Sequence, residues 1–331
     1  MSKRILVLGG AGYIGSHTCV ELIKKNFEVM VFDNLENSSE EAIRRMELIT
    51  NKRIKFVRGD VRDKDTLLEA MQIFQPASIV HFAGLKAVGE SVRDSVLYYD
   101  VNVGGSVNIL EAMENVGCHQ IIFSSSATVY SDENTPPYNE NDVALPISPY
   151  GRSKLMVENI LADWVVSDDA NRAVVLRYFN PVGAHQSGLI GEAPKGVPNN
   201  LMPLISQVAQ KKRDLLCIYG DDYATRDGTG ERDYIHVTDL ANGHVKAIEK
   251  FAQLDRFQIL NLGSGQGTTV FELVTAFEKI NNVSVSTEVV KRRLGDVAKS
   301  YANASLAQEL IDFECEKSLM DMCADTWNWQ I

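Results

Sequence analysis

Tyr150 and Lys154 form the pattern in this chain that is best suited to proton transfer. They follow Ser148-Pro149, a helix-start signal, and side chains at positions i and i+4 share one helix face. A free phenol titrates near ~10, but a neighbouring ammonium favours the phenolate and lowers its pKa. Upstream, the serines at 124–126 can hold a substrate oxygen. The arrangement predicts a tyrosine general base, although Tyr-x-x-x-Lys alone is also typical of a solvated helix face.

A glycine cluster between residues 9 and 15 follows the apolar run Arg4–Leu8 and precedes a helical pattern. Glycine permits the tight turn and lets the backbone approach a pyrophosphate, while the helix N-terminus offers N–H groups to the phosphates. Asp33 ends the second apolar run, where a carboxylate accepts both hydroxyls of the adenosine ribose and repels a 2′-phosphate. A turn before Asn34 is the alternative interpretation of Asp33. The two features predict a dinucleotide site selective for NAD over NADP.

Two further segments lie at the ends of predicted strands, where open parallel sheets bind their ligands. Asp60 follows the third apolar run and is placed to meet the adenine edge. Phe82–Gly84 follow the fourth run and are placed to line the cofactor. His81 is explained at least as well as a structural histidine, so we do not assign it to the site.

Short apolar runs alternate with helical patterns through the first half of the chain. The runs predict buried parallel strands at Arg4–Leu8, Glu28–Phe32, Ile54–Arg58, Ser78–Phe82, Gln120–Ser124 and Ala173–Tyr178. This alternation predicts an α/β fold, a Rossmann-type doubly wound parallel sheet with right-handed crossovers.

The alternation stops after Tyr178. Residues 180–232 are rich in Gly, Pro, Asn and Asp and contain one predicted helix at Asn200–Lys211. Asp233–Leu262 again shows the pattern of strand, helix and strand, so a return of the chain to the sheet is expected. We therefore predict an NAD-binding domain from residues 1–179 and 233–263. A smaller, discontinuous α/β substrate domain is predicted from 180–232 and 264–331.

The composition excludes several classes of protein. A chain of 331 residues with 45% hydrophobic and 23% charged residues is typical of a globular protein of about two domains. A formal charge of −11 gives no basic footprint for nucleic acid or anionic membranes. The five cysteines lack CxxC spacing, which argues against a zinc site or a disulfide framework. The first apolar run is too short for a signal peptide, so we predict a cytoplasmic protein. We also predict that the protein holds no metal.

Longer motifs carry a resemblance to a known family. The glycine cluster, Ser126 and the Tyr150–Lys154 pair are similar to those of extended short-chain dehydrogenases/reductases. More specific segments are HFAGLKAVGES (81–91), SSSATVY (124–130), SPYGRSKLMVE (148–158), LRYFNPVGAH (176–185), PNNLMP (198–203) and GTGERDYIHV (228–237). Through them the chain resembles the UDP-galactose (UDP-glucose) 4-epimerase family from nearly end to end.

The resemblance implies chemistry at carbon 4 of a UDP-sugar. Tyr150 would take the proton of the sugar 4-hydroxyl while carbon 4 gives a hydride to NAD. The 4-keto sugar would then turn and receive the hydride on its other face. Ser126 matches the family's hydrogen-bonding serine, with Thr128 placed to assist, and Lys154 would hold the nicotinamide ribose and tune Tyr150. NAD is regenerated in each cycle, so it is expected to stay bound.

The resemblance also implies two sets of binding residues. The predicted cofactor site comprises Gly9, Gly12, Tyr13, Ile14, Gly15, Asp33, Asn34, Asn37, Ser38, Asp60, Val61, Phe82, Ala83, Gly84, Lys86, Asn102, Tyr150, Lys154 and Tyr178. The predicted UDP-sugar site comprises Ser126, Tyr150, Phe179, Asn180, Asn200, Cys217, Ile218, Tyr219, Arg232, Arg293, Asp296 and Ser300. Arg232 and Arg293 match the family's diphosphate-binding arginines, and guanidinium groups suit phosphate geometry.

Two other functions stay open as alternatives: epimerisation of a related nucleotide sugar, and non-catalytic sensing of NAD. Dehydration is argued against by the sequence. A 4,6-dehydratase of the same superfamily needs an Asp-Glu pair at positions 127 and 128, where this chain has Ala127 and Thr128. Epimerases of related nucleotide sugars are not excluded by this difference. A non-catalytic NAD-binding sensor would have little reason to keep Tyr150, Lys154 and Ser126 in register.

Two expectations concern assembly and substrate range. The family pairs subunits through two helices, here approximately residues 98–116 and 150–166, so a homodimer is expected. Ser300 aligns with a family position that walls the sugar pocket beside the 2-substituent, where a bulky tyrosine excludes an acetamide. The small serine predicts that UDP-GlcNAc and UDP-GalNAc are also interconverted. A one-residue shift that places Tyr301 in the wall is the alternative.

Overall fold

The computed structural model of the chain describes residues 3–196, 198, 200–293 and 295–331. Its strands are β1 (Arg4–Leu8), β2 (Glu28–Asp33), β3 (Lys55–Arg58), β4 (Ser78–His81), β5 (Gln120–Ser126), β6 (Arg172–Tyr178), β7 (Asn180–Val182), β8 (Leu216–Tyr219), β9 (Glu231–His236), β10 (Phe257–Leu262), β11 (Gly267–Thr269), β12 (Thr287–Val290) and β13 (Lys299–Ser300). Within the described residues, seven strands form a parallel sheet in the order β10-β6-β5-β4-β1-β2-β3. The predicted Rossmann-type sheet is thereby confirmed.

Helices cover both faces of this sheet and part of the smaller sheets. They are α1 (Tyr13–Lys24), α2 (Glu40–Thr50), α3 (Lys64–Phe74), α4 (Val88–Arg93), α5 (Ser95–Tyr98), α6 (Gly105–Val116), α7 (Pro149–Ser167), α8 (Leu201–Ala209), α9 (Val237–Lys250), α10 (Val270–Asn281), α11 (Ser305–Ile311) and α12 (Leu319–Gln330). A π-helical stretch, Tyr99–Gly104, joins α5 to α6, and a 3₁₀ turn, Ala127–Val129, follows β5. No helix in the described ranges is both long and apolar enough to cross a membrane.

The core follows from the alternation of side chains along the strands. Leu6, Leu8 and Phe32 pack with α3, α6 and α7 on one face of the sheet. Ile5 and Val7 pack with α1 and α2 on the other face. Because strands buried on both faces must be apolar throughout, their sequences read as continuous hydrophobic runs.

The segment predicted as strand, helix and strand divides between two sheets. β10 returns to the large sheet and pairs with β6 along its edge. β9 instead joins β7, β11 and β13 in a smaller sheet. A single residue, Phe179, separates β6 from β7, so the chain passes from the large sheet to the small one directly. The division into an NAD-binding and a substrate-binding domain stays a prediction.

Candidate functional site

The turn after β1 is built for a close approach of backbone to ligand. Gly9 has φ +78°, and a Cβ there would lie 2.7 Å from the Ala83 nitrogen. A Cβ on Gly15 would overlap the Gly9 carbonyl oxygen, so α1 can pack this tightly only with glycine. At Gly12 the nearest described atom to an added Cβ is the Gly9 oxygen at 3.3 Å, so glycine keeps the space before α1 free. The first N–H groups of α1 face that space, and the turn fits a pyrophosphate.

Asp33 ends β2 with its carboxylate held from three directions. The Ala11 N–H donates to Oδ2 at 3.0 Å, and the Leu35 N–H and Ser38 hydroxyl donate to Oδ1 at 2.9 and 2.7 Å. Asp33 therefore does start the turn that the alternative interpretation expected. It also fixes a buried carboxylate beside the glycine turn, where it fits the ribose role.

The Asp60 carboxylate accepts hydrogen bonds from two side chains of the protein itself. Arg62 donates to both carboxylate oxygens at 2.9 Å, and the Asn34 amide donates to Oδ2 at 3.0 Å. The Arg62 guanidinium holds the pKa of Asp60 far below its usual range. Asp60 and Asn34 thus share one side of the predicted adenine end, and Val61 beside them is buried.

The segment after β4 forms the next wall of the groove. The N–H groups of Phe82 and Ala83 donate to the Leu8 carbonyl at 2.8 and 3.0 Å, which ties this wall to the glycine turn. Asn102 accepts from the Leu85 N–H at 2.8 Å and donates to the Ser153 hydroxyl at 3.0 Å. The Asn102 amide therefore joins the wall to α7. Its predicted contact with the cofactor stays a prediction.

The catalytic candidates converge where β5 ends and α7 begins. A Cβ on Gly151 would lie 2.5 Å from the Thr128 carbonyl oxygen, so the start of α7 packs directly on the 3₁₀ turn. Thr128 donates from its hydroxyl to the Ser126 Oγ at 3.0 Å. Burial raises the pKa of Tyr150, and the Ser126 hydroxyl opposes this by a hydrogen bond that lowers it.

Lys154 is buried and positioned by the backbone. Its Nζ donates to the Ser124 carbonyl at 2.7 Å and lies 5.9 Å from the centroid of the Tyr150 ring. Burial lowers the pKa of Lys154 to about 8, while Glu158 acts in the opposite direction. An ammonium at this distance stabilises a phenolate, as the spacing on one helix face predicts.

Residues around this centre were missed in the sequence. Glu158 forms a buried ion pair with Arg177 at 2.7 Å and also accepts from the Ser125 hydroxyl. Its position one turn after Lys154, at the end of the motif at 148–158, was the available signal. Tyr178 bonds to the Nε2 atom of His244. The Nδ1 atom of His244 lies 2.8 Å from the Leu240 carbonyl and must donate there, so Nε2 accepts from Tyr178.

The predicted UDP-sugar residues lie on the smaller sheets and their loops. Arg232 on β9 is paired in register with Ser300 on β13, and its Nη2 lies 3.9 Å from Asp296. The Arg293 guanidinium lies 3.6 Å from the centroid of the Tyr219 ring. Each arginine therefore lies against another predicted substrate residue, and the binding of a diphosphate by the two arginines stays a prediction.

The remaining predicted substrate residues differ in exposure. Cys217 and Tyr219 on β8 are partly exposed, whereas Ile218 between them is buried and pairs with Val289 of β12. Phe179 is buried and Asn180 is exposed at the start of β7. Asn200 donates to the Glu192 Oε1 atom at 2.6 Å.

Comparison with known proteins agrees with this geometry. The profile of the NAD dependent epimerase/dehydratase family matches residues 5–263. A UDP-glucose 4-epimerase of Haemophilus influenzae is 50% identical over 327 residues, which is 98% of this chain and 97% of that protein. The one from Bacillus subtilis is 48% identical over 326 residues, 98% of this chain and 96% of that protein.

A solved structure gives the same result. The UDP-glucose 4-epimerase of Stenotrophomonas maltophila, with bound NAD and formylated UDP-arabinopyranose, superposes with a TM-score of 0.97 at 46% identity, covering 99% of this chain and 97% of that chain. The resemblance inferred from the motifs is thereby confirmed. The chain belongs to the NAD dependent epimerase/dehydratase family.

Proposed function

We propose that this chain inverts carbon 4 of UDP-hexoses and so interconverts UDP-glucose and UDP-galactose, with NAD as its cofactor. One observation carries the proposal. Tyr150, Ser126 and Lys154 meet at the carboxyl edge of a parallel sheet, where the dinucleotide turn also lies. The identities of about half with UDP-glucose 4-epimerases over nearly the whole chain support the choice of substrate.

The side chains supply binding and proton transfer. When bound along the glycine turn and Asp33, NAD supplies a reversible acceptor for the hydrogen of carbon 4. Tyr150 takes the proton of the 4-hydroxyl and later returns it, while the Ser126 hydroxyl holds the same oxygen. Lys154 stabilises the phenolate, and its burial strengthens that interaction because little water screens it.

The substrate is held at its diphosphate and left free at its sugar. Arg232 and Arg293 are the cations that bind the two phosphates in this proposal. A sugar attached through the diphosphate alone can turn and offer either face of carbon 4 to the same base. The net reaction needs no external oxidant or reductant.

The proposal is tested with purified protein and UDP-galactose, without added NAD. We expect UDP-glucose to form until an equilibrium mixture is reached, and the reverse reaction to reach the same mixture. A protein that carries NAD but leaves both sugars unchanged would show that it is a sensor or acts on another nucleotide sugar. A 4-keto-6-deoxy product would show dehydration, which Ala127 and Thr128 argue against because neither carries a carboxylate.

Substrate range depends on Ser300 in this proposal. Ser300 is half-buried on β13, beside Arg232 in register, and has a small side chain. We expect the wild-type protein to interconvert UDP-GlcNAc and UDP-GalNAc. Ser300→Tyr is expected to lower kcat/KM for these sugars at least about fivefold and to spare UDP-galactose, since overpacking costs ~1–3 kcal/mol. If Ser300→Tyr changes kcat/KM equally for the N-acetylated sugars and for UDP-galactose, Tyr301 is favoured as the residue that walls the sugar pocket.

We also propose a homodimer that uses the two predicted stretches, residues 98–116 and 150–166, together with α4 and α5 directly before the first of them. Val92, Val96 and Val166 on these helices are 65%, 81% and 78% exposed, an arrangement that a partner surface would cover. Sedimentation at micromolar concentration is expected to give twice the chain mass. Val96→Glu is expected to shift this toward the monomer, and a wild-type monomer would contradict the proposal.

A cytoplasmic location completes the proposal. Each of the five cysteines lies in the described part of the chain and is free, which suits a reducing compartment. We also propose two domains, the large sheet binding NAD and the smaller sheets binding the UDP-sugar, with β9 grouped with the smaller sheets and not with the NAD-binding part as the sequence predicted.

A further inference from the structure

Residues 183–196, which we call the crossing segment, contact residues that follow three adjacent strands. The Tyr13 hydroxyl, after β1, donates to the Gly183 carbonyl at 2.6 Å. Lys86, after β4, donates to the Glu192 Oε1 atom at 3.1 Å. Lys195 donates from its Nζ to the Leu35 carbonyl, after β2, at 2.8 Å. Since β4, β1 and β2 are neighbours in the sheet, the segment crosses the edge at which the predicted cofactor residues are gathered.

The crossing segment is anchored to the large sheet near its middle. Ile190 is 2% exposed and belongs to the same core cluster as Ile5 and Val7 of β1. Arg45 on α2 donates to the Leu189 carbonyl at 3.1 Å. The crossing segment is therefore fixed against the edge of the sheet at which the predicted cofactor residues lie.

The C-terminal helix α12 packs against the crossing segment and bonds to its backbone. The Trp329 indole N–H donates to the Glu192 carbonyl at 3.1 Å. A Cβ on Gly191 would lie 2.5 Å from the Trp329 ring, so the indole packs directly on the backbone of the segment. The Arg45 guanidinium lies 5.2 Å from the centroid of the same ring, and Asn328 donates to the Gln186 carbonyl at 3.2 Å.

Glu192 connects helix α12 with the predicted cofactor site and the predicted UDP-sugar site. Its backbone is held by Trp329, while its side-chain Oε1 accepts from both Lys86 and Asn200. The carboxylate is buried, with the Glu192 side chain 10% exposed in its ion pair with Lys86. A shift of the Glu192 backbone therefore moves a contact on the cofactor side and one on the substrate side together.

We propose that Trp329 is a positioning residue that holds the crossing segment over bound NAD, so that α12 sets the rate at which the cofactor leaves. The inference rests on the proposed function only in taking NAD as the ligand of the groove. Trp329 acts through Gly191 and Glu192, and its loss opens a path for NAD without altering Tyr150, Lys154 or Ser126.

The experiment measures the release of NAD from the purified holoprotein after dilution into excess labelled NAD. Trp329→Phe keeps an aromatic ring and removes the bond to Glu192, and we expect release to become about fivefold faster. Trp329→Ala also removes the packing, and we expect about thirtyfold faster release. The matched control is Trp327→Phe, because Trp327 lies on the same helix but packs edge-on against Phe277 at 5.8 Å. Its release rate is expected to equal that of the wild type.

A second variant changes Gly191, the residue on the other side of the contact with Trp329. Gly191→Ala pushes a methyl group into the Trp329 ring and is expected to speed release as Trp329→Ala does. Because one contact is involved, the double variant is expected to release NAD no faster than Trp329→Ala alone. Additive effects would contradict the inference.

Stability and activity separate the possible failures. If the Trp329 variants lose thermal stability but release NAD at the wild-type rate, or if Trp327→Phe speeds release equally, the positioning role is wrong. If release depends on Trp329 while the wild-type protein leaves UDP-sugars unchanged, the positioning role stands and the proposed reaction fails. Turnover of the variants at saturating NAD and saturating UDP-galactose is expected to return to the wild-type rate.

Discussion

Tyr150→Phe is expected to lower turnover of UDP-galactose at least about a thousandfold, within the range that general acid–base groups contribute. The variant keeps the ring and removes the hydroxyl, so the packing of α7 on the 3₁₀ turn is retained. In the proposed reaction the phenol is the group that exchanges a proton with the 4-hydroxyl, so its removal is expected to leave the site without its general base. The NAD content per subunit of the purified variant is expected to match that of the wild type.

The control for this variant is Tyr98→Phe. The Tyr98 hydroxyl donates to the Ala87 carbonyl at 2.8 Å and has no part in the proposed proton transfer, and its removal deletes the same atom. We expect this control to lose stability and keep most of its turnover. Loss of NAD from Tyr150→Phe in proportion to its lost activity would show that Tyr150 binds the cofactor and does not act as the base.

Lys154→Met is expected to move the acid limb of the pH–rate profile to higher pH by about one unit or more. The ammonium favours the Tyr150 phenolate, so its removal leaves the phenol pKa higher and requires more alkaline solution for the same ionised fraction. NAD affinity is also expected to fall, since Lys154 is assigned to the nicotinamide ribose. The measurements are kcat against pH at saturating NAD and the Kd for NAD.

Lys154→Arg keeps the positive charge and serves as the comparison. Its acid limb is expected to lie between those of the wild type and Lys154→Met. The wild-type profile is also expected to decline on its alkaline side, because burial holds the pKa of Lys154 at about 8 and the ammonium is lost above that pH. An acid limb that Lys154→Met leaves in place would contradict the electrostatic role.

The sequence was sufficient where local pattern determines structure. The apolar run at Arg4–Leu8 became β1 with the same bounds, and the glycine cluster became a turn whose φ and close contacts require glycine. Tyr150 and Lys154 share a helix face because helical spacing fixes it. These features depend on neighbours within one or two turns of the chain.

Features that depend on distant contacts could not be inferred. β9 was expected in the large sheet but pairs in a smaller one. The hydrophobic pattern of a strand does not specify which strand it pairs with. Tyr178 and His244 are 66 residues apart, and Lys195 and Leu35 are 160 apart. The crossing segment carries Gly, Pro and polar residues typical of any loop, so its path over three strand ends is seen only in the fold.

The fate of the hydrogen at carbon 4 distinguishes a hydride that leaves and returns from a hydrogen that exchanges with water. UDP-glucose with deuterium at carbon 4 is incubated with the protein in ordinary water, and the UDP-galactose formed is examined by NMR and mass spectrometry. The account predicts that the deuterium stays at carbon 4 of the product, because the same hydrogen leaves and returns within one closed site. A product that carries hydrogen from water at carbon 4 would contradict it.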